Sequence, residues 1–170
     1  MYETVSSPSV PERRSVTAPP TPRPRAGLLS GRRPGERPPS DVRQTCALMF
    51  VAGPFFGFLA YAAWDRLDAG APGQAVTDLW TLLVLSVLAG AVAVGLAVPV
   101  LRAVPLLWRA AQFGALAGMG VALSGLHRAA QLSSTLVMVA AALAALLAIV
   151  VNIALWTTAV RRWCDVRRAA

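Results

Sequence analysis

The hydrophobic positions of this chain fall in four long runs that no charged residue interrupts. The first, between Arg43 and Asp65, is QTCALMFVAGPFFGFLAYAAW, and the second, between Asp78 and Arg102, is LWTLLVLSVLAGAVAVGLAVPVL. The third, between Arg109 and Arg128, is AAQFGALAGMGVALSGLH. The longest window lies between Arg128 and Arg161 and has its apolar heart at LVMVAAALAALLAIVVNIALW. A bilayer core about 30 Å thick takes about 20 helical residues. Three of the runs meet that length, and the third, with 18 residues, reaches about 27 Å at 1.5 Å per residue. The pattern predicts an all-α integral membrane protein of four transmembrane helices in two antiparallel hairpins. The spans fall at about 45–64, 79–101, 105–126 and 135–157.

The polar positions gather at the N-terminus. Residues 1–43 hold twelve of the chain's 24 charged side chains (16 basic and 8 acidic), and the remaining twelve sit in small groups between the runs. Overall the chain is 56% hydrophobic and 14% charged, against roughly 25% charged for a soluble domain. Residues 1–43, rich in Pro, Arg and Ser, bury too little apolar surface to offset their ordering entropy, so a disordered cytoplasmic tail is expected. PPTPRPR (19–25) favours polyproline II geometry. Such a tail solubilises and orients the protein. It also has the charge to attract anionic lipid, at roughly 1 kcal/mol per basic residue near the surface, and Ser7 and Thr21 precede prolines as conceivable phosphorylation sites. The first 25 residues lack the apolar core of a signal peptide, so the first span reads as an uncleaved anchor. Residues 161–170 read as a basic cytoplasmic C-terminus.

Arginine placement sets a direction. With four crossings and the tail inside, the cytoplasmic side holds fourteen arginines and the outer loops hold Arg66 and Arg128. A Lys/Arg excess of this kind marks the cytoplasmic face, so both termini are expected there. Every basic residue but the single His is Arg, and Ala is abundant, which points to GC-rich coding and a bacterial cytoplasmic membrane. Tryptophans fall where interfaces are expected: Trp64 and Trp80 at the outer face, Trp108 and Trp156 at the inner one, with Trp163 beyond. Arg109, one turn into the third span, is expected to lay its stem along apolar surface and reach the headgroups.

Within lipid, helices associate through close packing, so small residues mark contact faces. Gly53 and Gly57 flank Pro54 in the first span, and Ala89, Ala93 and Ala97 form a row in the second. Ala110, Gly114, Gly118 and Ala122 follow in the third, and Ala140, Ala144 and Ala148 in the fourth. Gly114 and Gly118 are the most informative pair, because glycine costs helix stability. These faces suit packing within the chain, and a homo-oligomer is the alternative use. Asn152 continues the fourth row and is expected to make an interhelical hydrogen bond, with Gln112 and Ser86 as lesser polar positions. Pro54 and Pro99 are expected to bend or end their helices.

Several kinds of chemistry are disfavoured. No carboxylate lies within a span, where a proton- or cation-coupled transporter needs one. Small multidrug exporters share the four-span layout but rely on that carboxylate. His127 stands beside Arg128 as a solvated interfacial residue, and Asp65, Asp68 and Asp78 make too sparse a set for a cation site. Cys46 and Cys164 fit no metal or redox spacing, and on the cytoplasmic side a disulfide is not expected. No nucleophile–base pairing or nucleotide motif occurs, and the net charge of +8 flanks spans rather than forming a base-reading module, so nucleic acid is not expected. No cofactor or metal is expected either. The reading is a non-enzymatic accessory or scaffold subunit of a membrane complex, engaging lipid and a membrane or cytoplasmic protein. The alternative is an oligomeric pore, holin-like, or a small transport component lined by Asn152, Gln112 and Ser86.

Overall fold

A computed structural model describes residues 37–164. Residues 1–36 of the expected disordered tail, with its phosphorylation sites, and the last residues of the basic C-terminus lie outside the described residues, whereas residues 40–43 of that tail are helical. Within them the chain is helical: α1 (Ser40–Asp68), α2 (Gly73–Leu101), α3 (Pro105–Leu132), α4 (Thr135–Leu155) and a short α5 (Thr158–Cys164). The first four are each long and apolar enough to cross a membrane.

The helices overrun the uncharged windows. α1 begins at Ser40, inside the expected tail, and ends beyond Trp64; α2 begins six residues before the expected 79, and α3 continues past His127 and Arg128. Charges end the apolar window but not the helix, because intrahelical hydrogen bonding goes on in the headgroup region. At the ends of α1 the charges suit the helix dipole, with Asp41 in the first turn and Arg66 in the last. Two 29-residue helices rise about 44 Å, so their ends stand outside a hydrocarbon core of about 30 Å. Pro54 and Pro99 lie inside α1 and α2 and end neither at that point.

The stops have local causes. Gly70, with φ of +83°, reverses the chain after α1. Ala103 and Ser133 take the left-handed conformation after α2 and α3, with φ of 56° and 47°. In both turns the next residue's N–H closes a six-residue loop: Val104 to the Pro99 carbonyl and Ser134 to the Ala129 carbonyl, each at 3.1 Å. Pro105 then opens α3, where its missing N–H is no loss. The buried hydroxyl of Ser134 caps α4 by accepting from the Val137 N–H at 3.4 Å.

Short connections make sequential helices antiparallel neighbours. α1 packs on α2 and α4, and α3 packs on the same two, so the four close into a ring. α5 folds back against α1 and α4. One buried cluster, around Phe56, Leu59, Leu79, Leu82 and Val137, fills the half toward the α1–α2 turn. Another, around Val42, Met49, Val100, Leu155, Val160 and Trp163, fills the half toward the α2–α3 turn. Outward, Val87, Leu88, Leu146, Ile153 and Phe113 (72% exposed) form an apolar belt. In water such a belt would drive association; against acyl chains it needs no cover.

Candidate functional site

The waist of the bundle is built on absent side chains. A Cβ on Gly53 would stand 2.5 Å from a Val94 methyl, and one on Gly90 would stand 3.2 Å from the Gly53 carbonyl oxygen. α1 and α2 thus meet nearly backbone to backbone. The Phe56 side chain crosses from this contact toward α3. Its root lies against Gly90, and its ring tip would sit 3.1 Å from a Cβ on Gly118. Gly114 faces Val92, where a Cβ would come within 2.9 Å, and Gly125 faces Ala141 and Leu59. Ala144 is fully buried with Ala140 in the same core.

The expected packing residues therefore part company. Gly53, Gly114, Gly118 and Ala144 lie at helix contacts, whereas Gly57 is exposed with nothing within 4 Å of its Cβ position. The buried face of α1 runs through Met49, Ala52, Phe56, Leu59 and Ala63, and Gly57 falls one position outside it. Sequence reasoning missed Gly90 and Gly125. Gly90 sits four residues after Ser86, itself completely buried, and Gly125 sits seven after Gly118, so both lay on rows that helical spacing marks.

At the waist, Met49, Phe56, Leu96, Gly114 and Val151 are among the residues around a cavity of about 20 Å³. That volume would admit about one water, but every side chain that lines it is apolar and offers no hydrogen-bond partner. The Ser86 hydroxyl is buried without a hydrogen-bond partner among the described residues.

The end with the α1–α2 and α3–α4 turns is closed from outside. Trp64 and Trp80 meet edge to face, with centroids 5.9 Å apart and planes at 87°. Arg128 reaches Asp78 at 2.7 Å and donates to the Gln131 side-chain oxygen at 3.0 Å. The Gln131 amide in turn lies 3.1 Å from a His127 ring nitrogen. His127 thus belongs to a polar chain that ties α3 to α2 through Arg128.

The opposite end is closed from within by indoles. Trp108 donates to the Leu155 carbonyl and Trp163 to the Leu101 carbonyl, each at 3.4 Å. Both acceptors are last-turn carbonyls that their own helices leave unpaired. Trp156 donates instead to the Asn152 side-chain oxygen at 2.9 Å, so the Asn152 hydrogen bond stays within its own helix end rather than crossing to a neighbour. Residues four apart share a helix face, and Trp156 was the nearer donor. Arg109 is exposed one turn inside α3. Beside it, Trp108, Arg109, Gln112, Phe113, Trp156 and Arg161 line a surface cavity of about 410 Å³.

Cys46 and Cys164, distant in sequence, are both buried in the cluster at this end. Burial, with a smaller contribution from the nearby Cys46, pushes the Cys164 thiol up to about 12. Among the described residues no group of three His, Cys, Asp or Glu is placed to hold a metal ion. Compared with known proteins, the chain matches no family model, no curated sequence and no solved structure.

Proposed function

We propose that this multi-pass protein is a non-enzymatic accessory or scaffold subunit of a complex in a bacterial cytoplasmic membrane, with both termini in the cytoplasm. The observation that carries the reading is the apolar interior. Alanines, glycines and the Phe56 ring fill the ring of four helices, and the polar side chains that a conduit would need do not converge. Ser86 is enclosed in α2's packed face, Gln112 faces a surface cavity, and Asn152 is bonded to Trp156. Arg43, Arg102, Arg109, Arg161 and Arg162 gather at the indole-closed end, whereas at the other end Arg128 is paired with Asp78. That asymmetry supports placing the indole-closed end in the cytoplasm. α2 and α3 turn most of their apolar surface outward, which leaves room for a membrane partner.

The test is reconstitution of the full chain into liposomes with a potential-sensitive dye, together with cross-linking in native membranes. The expected result is an intact potential and one stoichiometric cross-linked partner. Collapse of the potential would overturn the scaffold reading in favour of the pore. Asn152→Ala is expected to leave the cross-link unchanged. Accessibility of thiols introduced at Gly70 and Ala170 checks orientation, with Gly70 labelled from outside and Ala170 only from within.

A further inference from the structure

The surface cavity between α3 and the α4–α5 elbow is built like a receptor for a phosphate group. On α3, Trp108, Arg109, Gln112 and Phe113 follow one another at helical spacing along one face. Trp156 enters from the elbow and Arg161 from α5. About 410 Å³ is within the range of roughly 300–1,000 Å³ typical of small-molecule sites. No acidic residue lines it. Among the described residues neither Arg109 nor Arg161 has an ion-pair partner.

Gln112 is the more telling member. As a residue it is only 9% exposed, and its amide, which makes no hydrogen bond among the described residues, keeps its solvent contact where it faces the cavity. An amide so placed has donors and an acceptor to offer a ligand that enters the cavity. The indole N–H groups of Trp108 and Trp156 are already committed to the Leu155 carbonyl and the Asn152 oxygen. Their rings are thereby held as walls and do not compete for the ligand's oxygens.

We propose that this cavity binds the phosphate headgroup of an anionic phospholipid from the leaflet in which this end of the bundle lies. Two guanidiniums offer paired donors that match phosphate oxygens, and the Gln112 amide supplies a third set. The site lies beside the apolar belt. Phe113 is 72% exposed and Ile153 is 65% exposed, giving the acyl chains a surface on which to lie. Because Phe113 and Ile153 already face acyl chains, a lipid whose chains lie on them brings its phosphate to the arginines at high local concentration, which favours the lipid over a free phosphate ester. The inference needs only the membrane location and is independent of the accessory role.

Native mass spectrometry of the delipidated full chain, titrated with phosphatidylglycerol, phosphatidylcholine or glycerol phosphate, tests it. One phosphatidylglycerol is expected to bind about tenfold or more tightly than phosphatidylcholine, with glycerol phosphate binding far more weakly. Arg109→Gln with Arg161→Gln should abolish the preference, and Gln112→Leu should reduce it severalfold, while Arg102→Gln leaves it intact. Should the double Gln variant fail to fold, Arg109→Lys with Arg161→Lys holds the charge and removes the planar fork. A preference reduced in that variant supports the site, and an unchanged one overturns it. Equal loss on Arg102→Gln would reduce the effect to general charge and overturn it too. Tight binding of glycerol phosphate, competing with lipid, would overturn the lipid assignment.

Discussion

The two ends of the bundle are closed by different physics. At the α1–α2 turn the closure lies on the surface: two half-exposed indoles meet edge to face, and a guanidinium spans to Asp78 in partial contact with solvent. At the α2–α3 turn the closure is buried, with α5 folded back and Trp163 inserted beneath the end of α2. Surface contacts hold against a well-solvated alternative and contribute little each. Buried contacts have no such alternative, so the same count of interactions secures the second end far more firmly. The first end is the one expected to open first, by local fraying.

Trp163→Ala is the strongest way to break this difference. Removing a nearly buried indole that also satisfies the Leu101 carbonyl should cost about 3–5 kcal/mol, read as the unfolding midpoint in detergent micelles. Cys164 should become reactive to thiol reagents in the same variant. In the unaltered protein its raised pKa favours the protonated, folded form. That stability is full below the ordinary value of 9.0 and is lost as the pH rises toward about 12. The unfolding midpoint in detergent micelles should fall across this window, and Cys164→Ala should flatten that profile.

At the other end, Trp64→Ala and Trp80→Ala, combined in a double-mutant cycle, should give a coupling of about 0.5–1.5 kcal/mol. A coupling near zero would mean that the ring contact is incidental. The two left-handed turns permit a closer comparison. Ser133 is exposed, so Ser133→Gly relieves the backbone conformation and should raise stability by about 1 kcal/mol. Ala103 is fully buried, and its lost methyl costs about 0.8 kcal/mol, so Ala103→Gly should be nearly neutral by the same unfolding midpoint. Asp78→Asn should cost less than about 1 kcal/mol and lose even that in high salt. A large, salt-independent loss would mean that this end is held from within after all.

Solvent preference was plain in the residue pattern, because hydrocarbon length and the absence of charge need no tertiary knowledge. The four helices followed from it, and so did the placing of Trp64 and Trp80 at one end, though not their ring contact. Facing was harder. Gly53 and Gly57 look equivalent in sequence, yet one meets Val94 and the other meets nothing, since small residues record that packing is allowed without saying where a neighbour lies. The row through Ala89 was noticed while Gly90, one residue away, makes the closer contact. α5 went unread because Val160, Trp163 and Cys164 supply too short an apolar face to stand out beside two arginines. The cavity was legible only in part: Arg109 and Gln112 were noticed singly, but their meeting with Arg161 depends on α5 turning back.

The Phe56 ring carries a consequence for assembly order. Helices that insert separately and associate afterwards can join α1 to α2 as soon as Gly53 meets Gly90. The ring then has one wall and faces lipid on the other. Only the arrival of Gly118 encloses it. A chain stopped after α2 is therefore expected to form a hairpin that slides, and α3 is the piece that fixes its register.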